Sequence, residues 1–199
     1  ANGEDLLIYR AYCSGTGTLT AGLIAGGGTS PGGVPGTGSI TNVTHEYDGT
    51  DYTVGGAVNT TRSRIGLVGT QTAGLKFAGG NPGYASPTES YDGSSWTTLP
   101  NALNDGRAAV GAVGTQTSAL GFGGYKNPSP VHTNTVEEWD GSSWAAQSTL
   151  SVPRVSAGSA GGNGATGALC IGGALSPWAV TDTVELWTKS ATVRSVDTT

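Results

Sequence analysis

Three glutamates, Glu89, Glu137 and Glu185, each stand two residues before an aromatic side chain, and four arginines, Arg10, Arg64, Arg107 and Arg154, recur at wider intervals. Carboxylates that converge can do acid–base work. Their spacing argues against that use here. A catalytic site gathers unlike groups at one point, whereas a residue that returns once per segment is placed once per structural unit. The acids and arginines are therefore read as contacts between units or as solvated faces.

The remaining candidate groups point the same way. Asp48, Asp92 and Asp140, with Asp51 close to the first, are of the type that binds calcium. Each of the three precedes a glycine, which is the pattern of a hairpin turn, and no segment presents the ordered run of oxygens that a calcium loop needs. His45 and His132 are the only histidines, too few for a zinc or copper site. No Gly-x-Ser-x-Gly elbow leads into a helix pattern, and no phosphate-binding Gly-Lys-Ser/Thr loop is present. Cys13 and Cys170 fall in the first and last segments; they are read as small buried residues, or as a disulfide if those segments become neighbours. No catalytic residue, metal or cofactor is expected.

Composition bounds the class. The chain has 199 residues, of which 35 are glycine, and only 12% are charged. Serine and threonine are also abundant, so the balance favours strands and turns over helices. Nine basic against fourteen acidic residues give a net charge of -5, with lysines only at 76, 126 and 189. This is no footprint for nucleic acid. No apolar run approaches the roughly 20 residues of a membrane-spanning helix. The absence of methionine is read as the mark of a processed chain.

An internal repeat organises these residues. After each arginine comes a stretch of small and apolar residues, then a short run ending in a glycine pair: Ala21–Gly27, Ala73–Gly80, Ser118–Gly124 and Gly167–Gly173. A variable Pro/Gly/Ser loop follows. The third mark is an aromatic, Tyr47, Tyr91, Trp139 or Trp187, which in the first three segments leads into Asp-Gly and a second aromatic at Tyr52, Trp96 or Trp144. The first aromatics recur after 44, 48 and 48 residues. This predicts four units, approximately 10–62, 63–105, 106–152 and 153–199, each of four short strands, with Asp-Gly turning the third strand into the fourth. Residues 1–9 precede them as an extra strand or arm, and Leu6-Leu7-Ile8-Tyr9 is expected to add a strand that either latches onto the fourth unit or pairs with a neighbouring subunit.

The order of arginine, apolar-Gly-Gly, Tyr-Asp and Trp resembles the Kelch repeat over about residues 10–190. The Gly69-Thr70-Gln71-Thr72 and Gly114-Thr115-Gln116-Thr117 segments and the Tyr/Trp-Asp-Gly-Ser-Ser-Trp blocks look like the Kelch-like arrays of phage tail-fibre and other virion proteins. The resemblance implies an all-β fold with four four-stranded antiparallel units as β-propeller blades, either closed, part of a larger array, or completed by other subunits. Arg10, Arg64, Arg107, Arg154, Tyr47, Tyr91, Trp139, Trp187, Trp96 and Trp144 are then its structural marks. Galactose-oxidase-like enzymes also carry such blades, but Cys13 beside Tyr12 is a poor match to their copper site.

Residues outside the repeat are the better binding candidates. Tyr84, Tyr125 and Trp178 follow the glycine pairs, with Lys126 and Asn127 beside the second, in loops of variable length. There they are expected to stack on sugars or to meet a protein partner. The reading is a non-enzymatic structural or binding protein, a virion component or extracellular, working as a homo-oligomer or with other virion proteins and contacting surface glycans. A secreted or cytosolic propeller module is the alternative.

Overall fold

Short strands of small and β-branched residues, broken by glycine at each reversal, leave antiparallel hairpins as the local solution. A computed structural model of the chain describes residues 5–28, 39–80, 83–84, 86–126, 131–162, 164–176 and 179–189. Among these residues there is no helix. The first sheet holds β1 (Ser14–Thr18), β2 (Ala21–Ala25), β3 (Thr44–Tyr47) and β4 (Tyr52–Gly55), in that order. The second repeats it with β5 (Gly66–Thr70), β6 (Ala73–Phe77), β7 (Thr88–Tyr91) and β8 (Trp96–Thr98).

In the third unit β9 (Arg107–Ala108) precedes β10 (Gly111–Gly114) and β11 (Ala119–Phe122). Then come β12 (Tyr125–Lys126), β13 (Val131–His132), β14 (Val136–Trp139) and β15 (Trp144–Gln147). The main sheet is β10-β11-β14-β15, and β9, β12 and β13 form a small sheet of their own. The fourth unit has β16 (Gly158–Gly161), β17 (Gly167–Ile171), β18 (Ala174–Leu175), β19 (Ala179–Val180) and β20 (Val184–Thr188). Its main sheet, β16-β17-β20, has three strands among the described residues.

The leading strands β1, β5, β10 and β16 lie side by side in chain order, and each sheet packs on the next. No comparable packing joins β16 to β1 among the described residues. Side chains alternate across a strand, so each sheet has a forward and a rear face. The forward face of the first sheet gives Leu23 and Ala25 to a core with Tyr91 and Trp96 from the rear face of the second. Leu75 and Phe77 meet Trp139 and Trp144 in the next core. Leu120 and Phe122 meet Ala168 and Trp187 in the last. The same junction is thus built three times. A glycine makes room for it: a Cβ placed on Gly74 would stand 2.7 Å from Cδ2 of Leu23 in the sheet before.

Backbone bonds run along the row as well. Tyr12, Arg64, Ala109 and Ser156 occupy equivalent places, all left-handed, with φ of 57°, 55°, 56° and 51°. Arg64 N–H donates to Tyr12 C=O, Ala109 N–H to Arg64 C=O and Ser156 N–H to Ala109 C=O, at 2.9, 2.9 and 3.0 Å. In the opposite direction Gly27, Gly79 and Gly124 donate to the carbonyls of Arg62, Arg107 and Arg154 at 2.9, 2.8 and 2.8 Å. These bonds fix the register of the repeat. They place Arg62, not Arg64, beside Arg10, Arg107 and Arg154. They also shift the second glycine pair by one residue, so that Ala78, with φ 61°, stands in the left-handed position held elsewhere by Gly26, Gly123 and Gly172.

One expectation is corrected at the start of the chain. The Leu6–Tyr9 segment is not a strand: Leu7 and Ile8 form a bend, with Leu7 and Tyr9 exposed. Apolar character alone gives it no strand partner among the described residues of its own chain. Cys170 is buried in β17, as a small core residue, while Cys13 is half-buried just before β1 at the other end of the row; both thiols are free.

Candidate functional site

The recurring charges lie between and within the sheets. Arg107 Nη1 donates to Thr135 C=O at 3.2 Å and Nη2 to Gly121 C=O at 3.1 Å, while Nη2 lies 3.1 Å from Glu137 Oε1. Both side chains are buried. Glu137 reaches back to the preceding unit, accepting from Asn104 N–H at 2.9 Å and Asn104 Nδ2 at 2.7 Å. Arg154 repeats the arrangement, bonding Gly172 and Thr183 carbonyls with Glu185 at 4.0 Å, and Glu185 accepts from Ser151 N–H at 2.8 Å.

In the second unit the cation is Lys76, 2.7 Å from Glu89, whose oxygens accept from Asn59 and Thr60 N–H at 2.9 and 3.0 Å. Burial pushes the Lys76 ammonium down, and Glu89 opposes that shift. Each glutamate is therefore a clamp holding the loop of the unit before it. These are the sheet-to-sheet contacts that the spacing of the acids implies.

The first unit breaks the rule. Where the others place Glu89, Glu137 and Glu185, it has His45, fully buried beside Arg10. Arg10 Nη1 still donates to Val43 C=O at 3.2 Å and to Gly26 C=O at 3.4 Å, but Arg10 Nη2 and both His45 ring nitrogens lack hydrogen-bond partners among the described residues. Burial first, then the Arg10 charge, pushes the His45 imidazole below its ordinary value.

The aspartates are turn residues. Asp92 Oδ1 accepts from Ser94 N–H, Ser94 Oγ and Ser95 N–H, all at 2.8 Å, and Asp48 and Asp140 do the same in their own loops. Hydrogen bonds from the loop backbone and hydroxyls to each exposed carboxylate bring it to a pKa of about 2. The loops hold four residues, since Tyr47 pairs with Tyr52, Tyr91 with Trp96 and Trp139 with Trp144. Asp-Gly therefore opens a wider turn than the two-residue hairpin its sequence suggests. Among the described residues no three His, Cys, Asp or Glu side chains gather as metal ligands.

The repeat aromatics are core residues. Tyr91, Trp96, Trp139, Trp144 and Trp187 are buried, while Tyr47 is half-buried. Trp96 and Trp144 Nε1 each donate at 2.9 Å to a threonine of the preceding sheet, Thr44 and Thr88.

The loop candidates need correction. Tyr125 is 9% exposed, in a small core with Ala108, Ala109 and Val155, and Tyr84 packs on it edge to face at 5.1 Å between ring centroids. The two tyrosines pack together between the second and third units, because β12 pairs with β9 and draws Tyr125 inward. Lys126 is held by Asp105 at 2.9 Å. Asn127 and Trp178 lie outside the described residues. Missing from the expected set are Gln71 and Gln116, whose Nε2 atoms donate to Tyr47 and Tyr91 carbonyls one sheet back, at 2.9 and 2.7 Å. Their signal was in the repeated Gly-Thr-Gln-Thr segments.

No protein-family model matches the chain, and no characterised protein matches it in sequence.

Proposed function

We propose that this is a non-enzymatic structural and binding protein of the Kelch-like propeller type, a component of a virion such as a tail fibre or capsid decoration, working in an assembly with copies of itself or with other virion proteins. One observation carries the reading. The polar residues that recur are spent on holding sheet to sheet: Glu89, Glu137 and Glu185 clamp the loop before them, and Gln71 and Gln116 reach one sheet back. That is the use expected of an architectural repeat. The side-by-side leading strands of four sheets support the propeller-type arrangement, and the Tyr/Trp-Asp-Gly-Ser-Ser-Trp blocks support the virion assignment. Surface glycans are the proposed external ligands, with Asn127 and Trp178 as the candidate contacts.

The test is localisation. Purified virus particles from the source are analysed by mass spectrometry and labelled with a gold-conjugated antibody against the chain. Recovery at a fixed ratio to the major coat protein, with surface label, is expected; recovery only from the particle-free fraction overturns the virion assignment.

A further inference from the structure

The two ends of the row are the unmatched halves of the junction that occurs three times inside it. At the tail, the fourth sheet presents Leu169 and Ile171, the equivalents of Leu23 and Ala25, Leu75 and Phe77, and Leu120 and Phe122. Those six are at most 2% exposed, whereas Leu169 is 37% and Ile171 40% exposed. Their cross-strand partners Leu186 and Val184 are 68% and 58% exposed, so four apolar side chains share this open face. An array that ended here would be expected to carry a polar cap. At the head, the rear face of the first sheet presents Tyr47 and Tyr52, rings 4.8 Å apart and half-buried. They stand in the places of the buried pairs Tyr91 and Trp96, and Trp139 and Trp144.

The backbone carries the same imbalance. At the tail, Ser156 C=O and Gly173 N–H have no partner among the described residues, though their equivalents Ala109 C=O and Gly124 N–H are bonded to the next unit. At the head, Tyr12 N–H and Arg10 C=O have none, though Arg64 N–H and Arg62 C=O are bonded to the unit before. The donor at each end answers the acceptor at the other.

We infer that the tail of one chain docks on the head of a second copy, with Leu169, Ile171, Val184 and Leu186 packed on Tyr47, Tyr52 and Gly22, and with the Tyr12-to-Ser156 and Gly173-to-Arg10 backbone bonds continued between chains. The contact is heterologous, so each added copy leaves the same two ends free and growth proceeds head to tail, as a filament or a closed ring of copies. This deepens the assembly reading above and rests on it.

Two substitutions block one end each. Leu186→Lys places a charge on the open tail face. Gly22→Glu fills the space that the preceding leucine enters, while a Cβ there meets only Tyr47 Cβ at 3.4 Å and Thr18 C=O at 3.7 Å in its own sheet. Circular dichroism and thermal melts confirm that both variants fold. Mass is then followed by light scattering over a concentration series of the 199-residue chain. The parent chain is expected to grow in mass with concentration, each variant alone to stay at the mass of one chain, and an equimolar mixture to reach two chains and stop.

A parent chain that stays monomeric throughout, including one whose two faces meet within the same molecule, overturns both this inference and the self-assembly reading. Variants that associate as the parent does, or a mixture that forms no pair, overturn the face pairing alone and leave assembly through another surface standing. If either variant fails to fold, Leu169→Lys for the tail or Tyr52→Lys for the head takes its place in the same series.

Discussion

The Lys76 ammonium lies 2.7 Å from the Glu89 carboxylate, both side chains almost wholly buried where the second sheet meets the first. Removing one partner strands the other charge. Glu89→Ala also leaves the Asn59 and Thr60 amides without their acceptor, so a loss of about 3–5 kcal/mol is expected in urea or thermal unfolding. The double variant Lys76→Met/Glu89→Leu should recover part of that loss, because no buried charge remains, but not the part due to the two amides. Equal losses in the single and double variants would show that the pairing contributes nothing.

Trp96 and Trp144 fill equivalent places in consecutive junctions, each with its indole N–H on a threonine of the sheet before. Replacing either by alanine should cost about 3–5 kcal/mol, the usual range for a large core truncation. Calorimetric melts check this, and a cost below 1 kcal/mol would place the ring outside the core.

Tyr125→Ala belongs with these changes and not with surface variants. The ring is buried against Tyr84 and the Ala108–Val155 cluster, so a loss of about 2–4 kcal/mol is expected. A melt unchanged by the substitution contradicts the packing described.

Acid sensitivity should appear between about pH 4 and pH 2. Asp48, Asp92 and Asp140 have folded-state values of about 2 against an ordinary 3.8. The unfolded chain therefore takes up their protons first, and the stability they supply is present above the ordinary value and lost as pH falls through the folded one. Asp92→Asn/Asp140→Asn should flatten this part of the stability profile, as measured by urea unfolding at fixed pH steps.

His45 acts in a higher window. Its folded-state value is lowered by burial and by Arg10, so the contribution of the neutral ring is present above about pH 6.5 and declines as pH drops below it. His45→Gln should remove this dependence while leaving the acid window of the aspartates intact. A melting temperature that falls as steeply in the variant between pH 7.5 and pH 5 would assign the effect elsewhere.

The repeat was legible because its marks are local. Tyr47, Tyr91, Trp139 and Trp187 precede a turn or end a strand, and each reads correctly from neighbours within a few residues. The register was legible only in part. Arg62 and Arg64 are two residues apart, and what separates them is a backbone bond to another unit, Arg64 N–H to Tyr12 C=O, which no local pattern records. Tyr125 misled for a related reason. Its position after a glycine pair suggested an exposed loop, but β12 turns inward to pair with β9, placing Tyr125 opposite Ala108 and Lys126 opposite Arg107, well back in the chain. The repeated Gly-Thr-Gln-Thr segments mark Gln71 and Gln116, but their acceptors are carbonyls one sheet away, which no local pattern records.

The three internal junctions share one design, and among the described residues the main packing of each sheet is against its immediate neighbours. Such a chain has cooperativity that travels only from one unit to the next. The inner sheets are held from both sides and the outer ones from one. Amide exchange should therefore be slowest in β6 and β11 and fastest in β1, β16 and β20, with opening that begins at the ends and moves inward. Unit number is correspondingly free to change in evolution, since inserting or deleting a whole unit re-forms the same junction and leaves the remaining ones as they were.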